Sequence, residues 1–367
     1  MSYIVPFVDP RTHYANFKSQ IDTAIIDCLT QGDLIYRDQL HSFEANLASF
    51  VGVKHALGLN SGYHALHFSL LAAGIGAGDE VITVAHTFVA TVSAIIHCGA
   101  TPVLIDVADD YNMDVDLIEP AITEKTRALL PVHLNGRICE MDRIMALASK
   151  YKLVVIEDAA QSLGATFDGQ MAGSIGATGC FSFYPFKILG GLGDGGALTT
   201  NDPDIAKMVA RIRWNGEDRE TGEYHHHGYT ALLDNIQAAV LDVKLRYFEG
   251  WVNHRREIAH LYRQGLEDVT QLRLPHFNEE RQIDVFQNYV IRLKERDSLR
   301  EHLTKSGIET LVSWPKPMWE HHALGLGTPD LPNTSSICKE VISLPMSAET
   351  TPEHVDFTVQ AIRKFFS

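Results

Sequence analysis

VVIEDAAQSLGA, residues 154–165, decides the reading of the fold. Val154, Val155 and Ile156 form a run apolar on both faces, as in a strand covered by helices above and below. The run ends in Glu157–Asp158 and gives way to small residues. Working outward, the same kind of short β-rich run recurs as EVITV at 80–84, TPVLIDV at 101–107, ALLPVHL at 128–134, CFSFY at 180–184 and GALTT at 196–200. Helical stretches separate several of these runs. The spacing predicts an α/β fold with a mostly parallel sheet and helices on both faces. In such a sheet ligands gather at the carboxyl ends of the strands, which is where Asp158 falls.

A glycine-rich stretch at 190–196 and a polar, His- and Gly-containing segment at 215–230, read as a loop, interrupt this rhythm. A long helical pattern then runs from Asp234 to about Gly265. NYVIRL (288–293) reads as strand, RDSLREHLTKSG (296–307) as helix, IETLVSW (308–314) as strand and 353–366 as a terminal helix, together a smaller α+β domain. At 367 residues the chain exceeds what one core usually supports, so the expected division is 1–245, a large domain with an N-terminal arm, and 246–367, a small C-terminal domain.

Charged residues are 21% and hydrophobic residues 45%, enough apolar material for a sizeable core and too much for a disordered chain. The formal charge of −15 and the lack of any Lys/Arg-rich run argue against nucleic acid as a partner. They leave a phosphate-bearing small molecule open, since a few local N–H groups or one arginine can hold it. Five cysteines with no Cys-x-x-Cys point to a reducing compartment without structural zinc. No signal-like start and no apolar run near the roughly 18 residues of a membrane span are found, so a cytoplasmic location away from the membrane is expected. Three consecutive histidines, His225–His227, cannot readily converge on one ion, and no metal is expected.

The chemistry rests on a pair. Asp158 closes one strand, and FSFYPFK at 181–187 delivers Lys187. A pyridoxal-phosphate (PLP) site needs both: a lysine to hold the aldehyde as an imine, and a carboxylate to keep the pyridine nitrogen protonated so that the ring accepts electrons. Either alone would read as a solvated lysine or a capping carboxylate. In NSGYHALHFSLLAAG at 60–74, Ser61 and Gly62 precede an apolar-periodic helix starting near Tyr63, and its free N–H groups suit a phosphate, although serine is also an ordinary cap. Phe88, in AHTFVAT, is placed to stack on a ring or to pack in the core.

These pieces, in this order, resemble the DegT/DnrJ class of nucleotide-sugar aminotransferases, within the aspartate aminotransferase-like (fold type I) PLP enzymes. The resemblance runs from PFVDPRTHY (6–14) and FEANLASFVGVKHALGLNSG (43–62) through PVHLNG (131–136) and FSFYPFKILGGLGDGGALTT (181–200) to LDNIQAAVLDVKL (233–245) and VISLPM (341–346). It implies Lys187 as the imine lysine and proton shuttle, Asp158 as partner of the pyridine nitrogen, Gln161 beside the ring hydroxyl and Phe88 as the stacking ring. It also implies Ser61, Gly62 and Ser182 around the phosphate. L-glutamate is implied as amino donor, with pyridoxamine phosphate as the intermediate cofactor form. A nucleotide-linked keto sugar would be the acceptor and a homodimer with shared active sites the working form, in amino-sugar biosynthesis of the lipopolysaccharide O-antigen kind.

The chain departs from the family pattern at the sugar side. Tyr63 stands where the phosphate motif has threonine. Gly228-Tyr229-Thr230-Ala231-Leu232 replaces a Gly-Tyr-Asn-x-Arg motif whose asparagine reaches the neighbouring subunit, so Thr230 inherits that position. Trp319 replaces a histidine in WPKPMW, 314–319. Candidate substrate contacts are Arg37, Tyr184, Arg213, Lys316 and Trp319. LLDNIQAAVL and PFVDPRTHY lean toward members that aminate C3 of a 3-keto UDP- or dTDP-sugar, with C4 amination as the alternative. The family's dehydratase branch has histidine in place of the lysine and is disfavoured by Lys187. A non-catalytic PLP-binding regulator is the reading from a different class.

Overall fold

The computed structural model describes residues 3–277 and 280–367. Its centre is a seven-stranded sheet of β1 (His55–Leu59), β2 (Glu80–Val84), β3 (Thr101–Ile105), β4 (Thr126–Leu129), β5 (Val154–Asp158), β6 (Thr178–Ser182) and β7 (Gly196–Thr200). The spatial order is β1-β7-β6-β5-β4-β2-β3. β2 pairs in parallel with β3 and β4, β4 with β5 and β5 with β6, while β7 runs antiparallel to both β6 and β1. Six strands therefore share one direction, and the α/β reading holds. β1 is the strand of this sheet that the sequence pattern did not predict: HALGL offers alanine and glycine where a strand normally shows β-branched residues.

Around the sheet lie α1 (Pro10–Gln31), α2 (Asp38–Val51), α3 (Gly62–Ala72) and α4 (Val89–His97) among other helices. α3 follows β1 and α4 follows β2, so both helices begin at the edge where β5 and β6 end. The loop expected at 215–230 contains a short ribbon, Glu217–Asp218 against Glu223–Tyr224. The helical pattern from Asp234 divides into Asn235–Leu245 and Phe248–Leu266. Tyr289–Arg292 pairs antiparallel with Val341–Leu344. IETLVSW is not a strand; only Ile308 and Leu311 form isolated bridges, to Val5 and Ser343.

Buried apolar residues form one large cluster around the main sheet and a second built from Val5 and residues between Ile258 and Ile362. The helix Phe248–Leu266 joins them, with Phe248, Trp251 and Val252 in the first and Ile258, Tyr262 and Leu266 in the second. The N-terminal segment is tied to the second cluster, Ile4 N–H donating to the Gly307 carbonyl at 2.8 Å and Glu309 N–H to that of Val5 at 2.9 Å.

Candidate active site

Successive side chains of a strand point to opposite faces, so the two carboxylates ending β5 have different fates. Glu157 is buried and accepts backbone N–H groups from Gly173 (2.9 Å), Ile175 (2.8 Å) and Gly176 (2.7 Å), together with His133 Nε2 at 2.9 Å. Because Cys139 N–H donates to His133 Nδ1 (3.2 Å), the ring proton sits on Nε2, and the pair holds the turn after β4 against β5. Glu157 is thus a structural carboxylate.

Asp158 faces a cavity of about 930 Å³. Its Oδ2 accepts from Thr91 Oγ1 at 2.8 Å and its Oδ1 from Ala160 N–H at 3.2 Å. Thr91 spends its proton on Asp158, so Thr87 Oγ1 donates in the 2.8 Å contact between the two hydroxyls, completing a relay from α4. Burial pushes the Asp158 carboxyl upward; the Thr91 and Ala160 bonds and the Lys187 charge oppose this.

Lys187 lies half-buried on the same cavity, in the turn between β6 and β7. Its Nζ has no hydrogen-bond partner among the described residues. Burial lowers its pKa to about 8, an effect that the negative charge of Asp158 partly offsets. The turn is fixed by Lys187 N–H donating to the Tyr184 carbonyl at 2.8 Å. Gln287 also holds it, accepting from Ile188 N–H and donating to the Phe186 carbonyl, each at 3.1 Å.

The third wall is the start of α3, capped by Ser61, whose Oγ accepts from His64 N–H at 3.2 Å. A Cβ on Gly62 would stand 2.9 Å from Ser182 Cβ, and one on Gly196 would stand 2.3 Å from the Ser61 carbonyl carbon. Only glycine lets β6, β7 and the helix start approach this closely, leaving a cradle of N–H groups and two serine hydroxyls at the positive end of the helix dipole. Gln161 Oε1 accepts from Asn135 N–H at 2.8 Å, which leaves its amide NH₂ free of that contact.

The cavity brings together Ser61, Gly62, Tyr63, Phe88, Asp158, Gln161, Ser182, Tyr184 and Lys187. Phe88 is 60% exposed at the start of α4, its ring uncommitted to the core. Tyr63 sends its hydroxyl to His97 Nδ1 at 2.6 Å and stacks on His67.

The other sequence candidates fall elsewhere. Arg213 is corrected: it is 2% exposed, bonded to the Glu44 carboxylate and to the Gly58 carbonyl at 2.9 Å, and so is a buried structural cation. Trp319 is corrected likewise, buried in a small cluster with Ala85 and Leu331. Arg37 is exposed beside Asp33, at the N-cap of α2, and Lys316 is exposed; neither lines the cavity. Thr230 lies outside this chain's cavity, its hydroxyl donating to Asn215 Oδ1 at 3.0 Å, and Leu232 packs in the main core. Residues that the sequence reading missed include Thr91, His133, Arg255, Gln287, Glu309 and Trp314. Thr91 sits one turn beyond Phe88 and His133 lies in PVHLNG, so both had a nearby signal; Arg255 and Gln287 arrive from distant segments and had none. No group of three or more His, Cys, Asp or Glu side chains among the described residues could hold a metal ion.

Residues 16–363 match the DegT/DnrJ/EryC1/StrS aminotransferase family. A Streptomyces venezuelae dTDP-3-amino-3,4,6-trideoxy-alpha-D-glucose transaminase is 37% identical over 365 residues, 98% of this chain and 96% of that protein. A Geobacillus stearothermophilus protein named pleiotropic regulatory protein is 38% identical over 369 residues, 99% of this chain and 98% of its own. Among solved structures, S. venezuelae DesV in complex with a ketimine intermediate superposes with a TM-score of 0.96 at 36% identity, covering 100% of this chain and 99% of that one. Bacillus subtilis NtdA, solved with bound cofactor PMP, superposes at 0.87 and 27% identity, covering 95% and 82%. Matched along nearly its whole length in sequence and in fold, the chain belongs to the DegT/DnrJ/EryC1/StrS aminotransferase family.

Proposed function

We propose that this chain is a PLP-dependent aminotransferase that moves the amino group of L-glutamate to a keto carbon of a nucleotide-linked sugar. The observation that carries this reading is the meeting of Asp158, Lys187 and the Ser61–Gly62 cradle on one cavity. The donor set fits PLP: an amine without a hydrogen-bond partner, a buried carboxylate aimed at the same space, and a helix start that a Cβ at Gly62 or Gly196 would fill. Bound there, PLP supplies an aldehyde that bonds amines and a ring that draws electrons from the adjoining carbon. In this reading Lys187 would bond the aldehyde, Asp158 would partner the ring nitrogen, Gln161 the ring hydroxyl and Phe88 the ring face, while Ser61, Gly62 and Ser182 would hold the phosphate. Tyr63 flanks that cradle. Lys187, once free, carries a proton at Nζ to or from the substrate carbon.

The keto position we propose is C3, of a dTDP- or UDP-sugar, supported by the names of the Streptomyces relative and by the sequence lean. Tyr184, which lines the cavity, is the proposed sugar contact among the residues that the sequence offered. Synthesis of surface-polysaccharide amino sugars in the cytoplasm is the setting that this substrate suggests. We also propose a division near residue 245, and a homodimer in which 215–230, with Thr230, serves the neighbouring site. Exposed Leu34, Ile35 and Tyr229, which do not line the cavity, support an apolar contact with that second copy. No described helix is long and apolar enough to cross a membrane.

The name of the Geobacillus relative favours one second reading, a regulator that binds the cofactor without turnover. Spectroscopy separates the two. An aminotransferase carries a visible cofactor band that L-glutamate bleaches, and Lys187→Ala abolishes turnover; a regulator keeps its band in glutamate.

A further inference from the structure

We propose that Arg255 is the cation that receives a carboxylate of the amino donor, an inference that rests on the aminotransferase reading above. Arg255 lies on the helix Phe248–Leu266, is 4% exposed, and lines the cavity that holds Lys187. Its Nη1 is spent on the carbonyls of Phe286 (3.0 Å) and Gln287 (3.4 Å). Nε is buried with no partner, and the hydrogen bonds that the guanidinium makes among the described residues are those of Nη1. The carboxylate acting on it most strongly, Glu349, is itself engaged by His13 at 2.7 Å. Burial accordingly draws the guanidinium down to about 10, the mark of a charge the protein only partly compensates.

A buried cation of this kind is stabilised by an anion that arrives with the ligand. Of the other basic side chains on the cavity wall, Lys187 is committed to the cofactor in that reading and His133 is engaged at both ring nitrogens, by Glu157 and by Cys139 N–H, while Asp158, Asp194 and Glu309 are acids. Arg255 is thus the wall's available receptor for a carboxylate. Its position selects the donor over the sugar nucleotide. It contacts the backbone of Gln287, whose side chain holds the peptides on both sides of Lys187, so it stands at the reacting end. An α-carboxylate is one bond from the carbon that gives up its amine, whereas a sugar's diphosphate is separated from the keto carbon by the ring.

The two half-reactions of cofactor-loaded protein test this, followed by the cofactor band in parent, Arg255→Gln and Arg255→Lys. Arg255→Gln is expected to raise the apparent dissociation constant for L-glutamate by roughly 30-fold or more, while amination of the keto sugar nucleotide by the pyridoxamine-loaded protein changes less than about threefold. Arg255→Lys should fall between, keeping charge but losing the planar fork; it also carries the test should the glutamine variant not fold. 2-Oxoglutarate should raise the thermal midpoint of the pyridoxamine-loaded parent and not of Arg255→Gln. An unchanged glutamate constant, an equal fall in both half-reactions, or a fall confined to the sugar half-reaction each overturns the assignment. A parent that binds the cofactor but does not respond to glutamate overturns the donor reading itself, and the Arg255 assignment with it.

Discussion

Gln287 holds Lys187 from both sides, its Oε1 accepting from Ile188 N–H and its Nε2 donating to the Phe186 carbonyl, each at 3.1 Å. The residue belongs to the segment just before Tyr289–Arg292, remote in sequence from the lysine turn. The chain thereby links its C-terminal half to the position of the reactive amine. Gln287→Met removes both bonds at similar volume. It is expected to lower kcat by roughly 10²-fold through misplacement of Lys187, while costing only about 1–2 kcal/mol of stability. Steady-state kinetics beside denaturant unfolding checks this; a parent-like kcat would show that the bracket is dispensable.

Asp158→Asn keeps the Thr91 contact and removes the charge. Cofactor should still bind, and kcat should fall by roughly 10²–10⁴-fold, because a neutral amide no longer favours a protonated ring nitrogen. Comparing bound PLP, measured after acid release, with turnover checks that the loss is chemical.

The Lys187 amine, lowered to about 8, sets a pH dependence. Only the neutral amine bonds an aldehyde, so capture of PLP by cofactor-free protein should quicken roughly tenfold per pH unit below 8 and level off above it. The linked stability has the matching sign. Between about 8 and the ordinary lysine value the unfolded chain binds more protons, so this group's contribution to stability rises with pH across that window. Stopped-flow absorbance from pH 6 to 10 measures the first effect.

Arg213 separates the structural from the substrate account. Arg213→Met leaves the Glu44 carboxylate, largely buried, without its charged partner and with the Gly58 N–H still donating to it, and should cost about 3 kcal/mol of stability. The KM for the sugar nucleotide should stay within about twofold in the protein that remains folded. A large KM change at unchanged stability would restore Arg213 to the substrate site.

How much was legible in the sequence followed from how local each signal was. The apolar run before Asp158, the Ser61 cap with Gly62, and the glycines near Lys187 are contiguous patterns, and they pointed to the sheet and to residues that the fold brings to one cavity. β1 escaped because HALGL owes its strand conformation to pairing with β7, a tertiary cause. IETLVSW has the residues of a strand but finds only isolated bridges. Arg213 looked like a nucleotide contact because nothing near it in sequence announces Glu44, 169 positions away. Trp319 was placed by a motif position, and a small apolar cluster claimed it instead. Gln287 and Arg255 could not be found from pattern at all, since their meaning depends on what the fold sets beside them.

The most direct test of the central claim follows the cofactor band of purified protein through both halves of the reaction. The expected result is a visible band that L-glutamate bleaches and that a 3-keto dTDP- or UDP-sugar then restores, with Lys187→Ala failing to complete the cycle. A band indifferent to glutamate and to every keto sugar nucleotide, or a Lys187→Ala protein cycling at the parent rate, would contradict it.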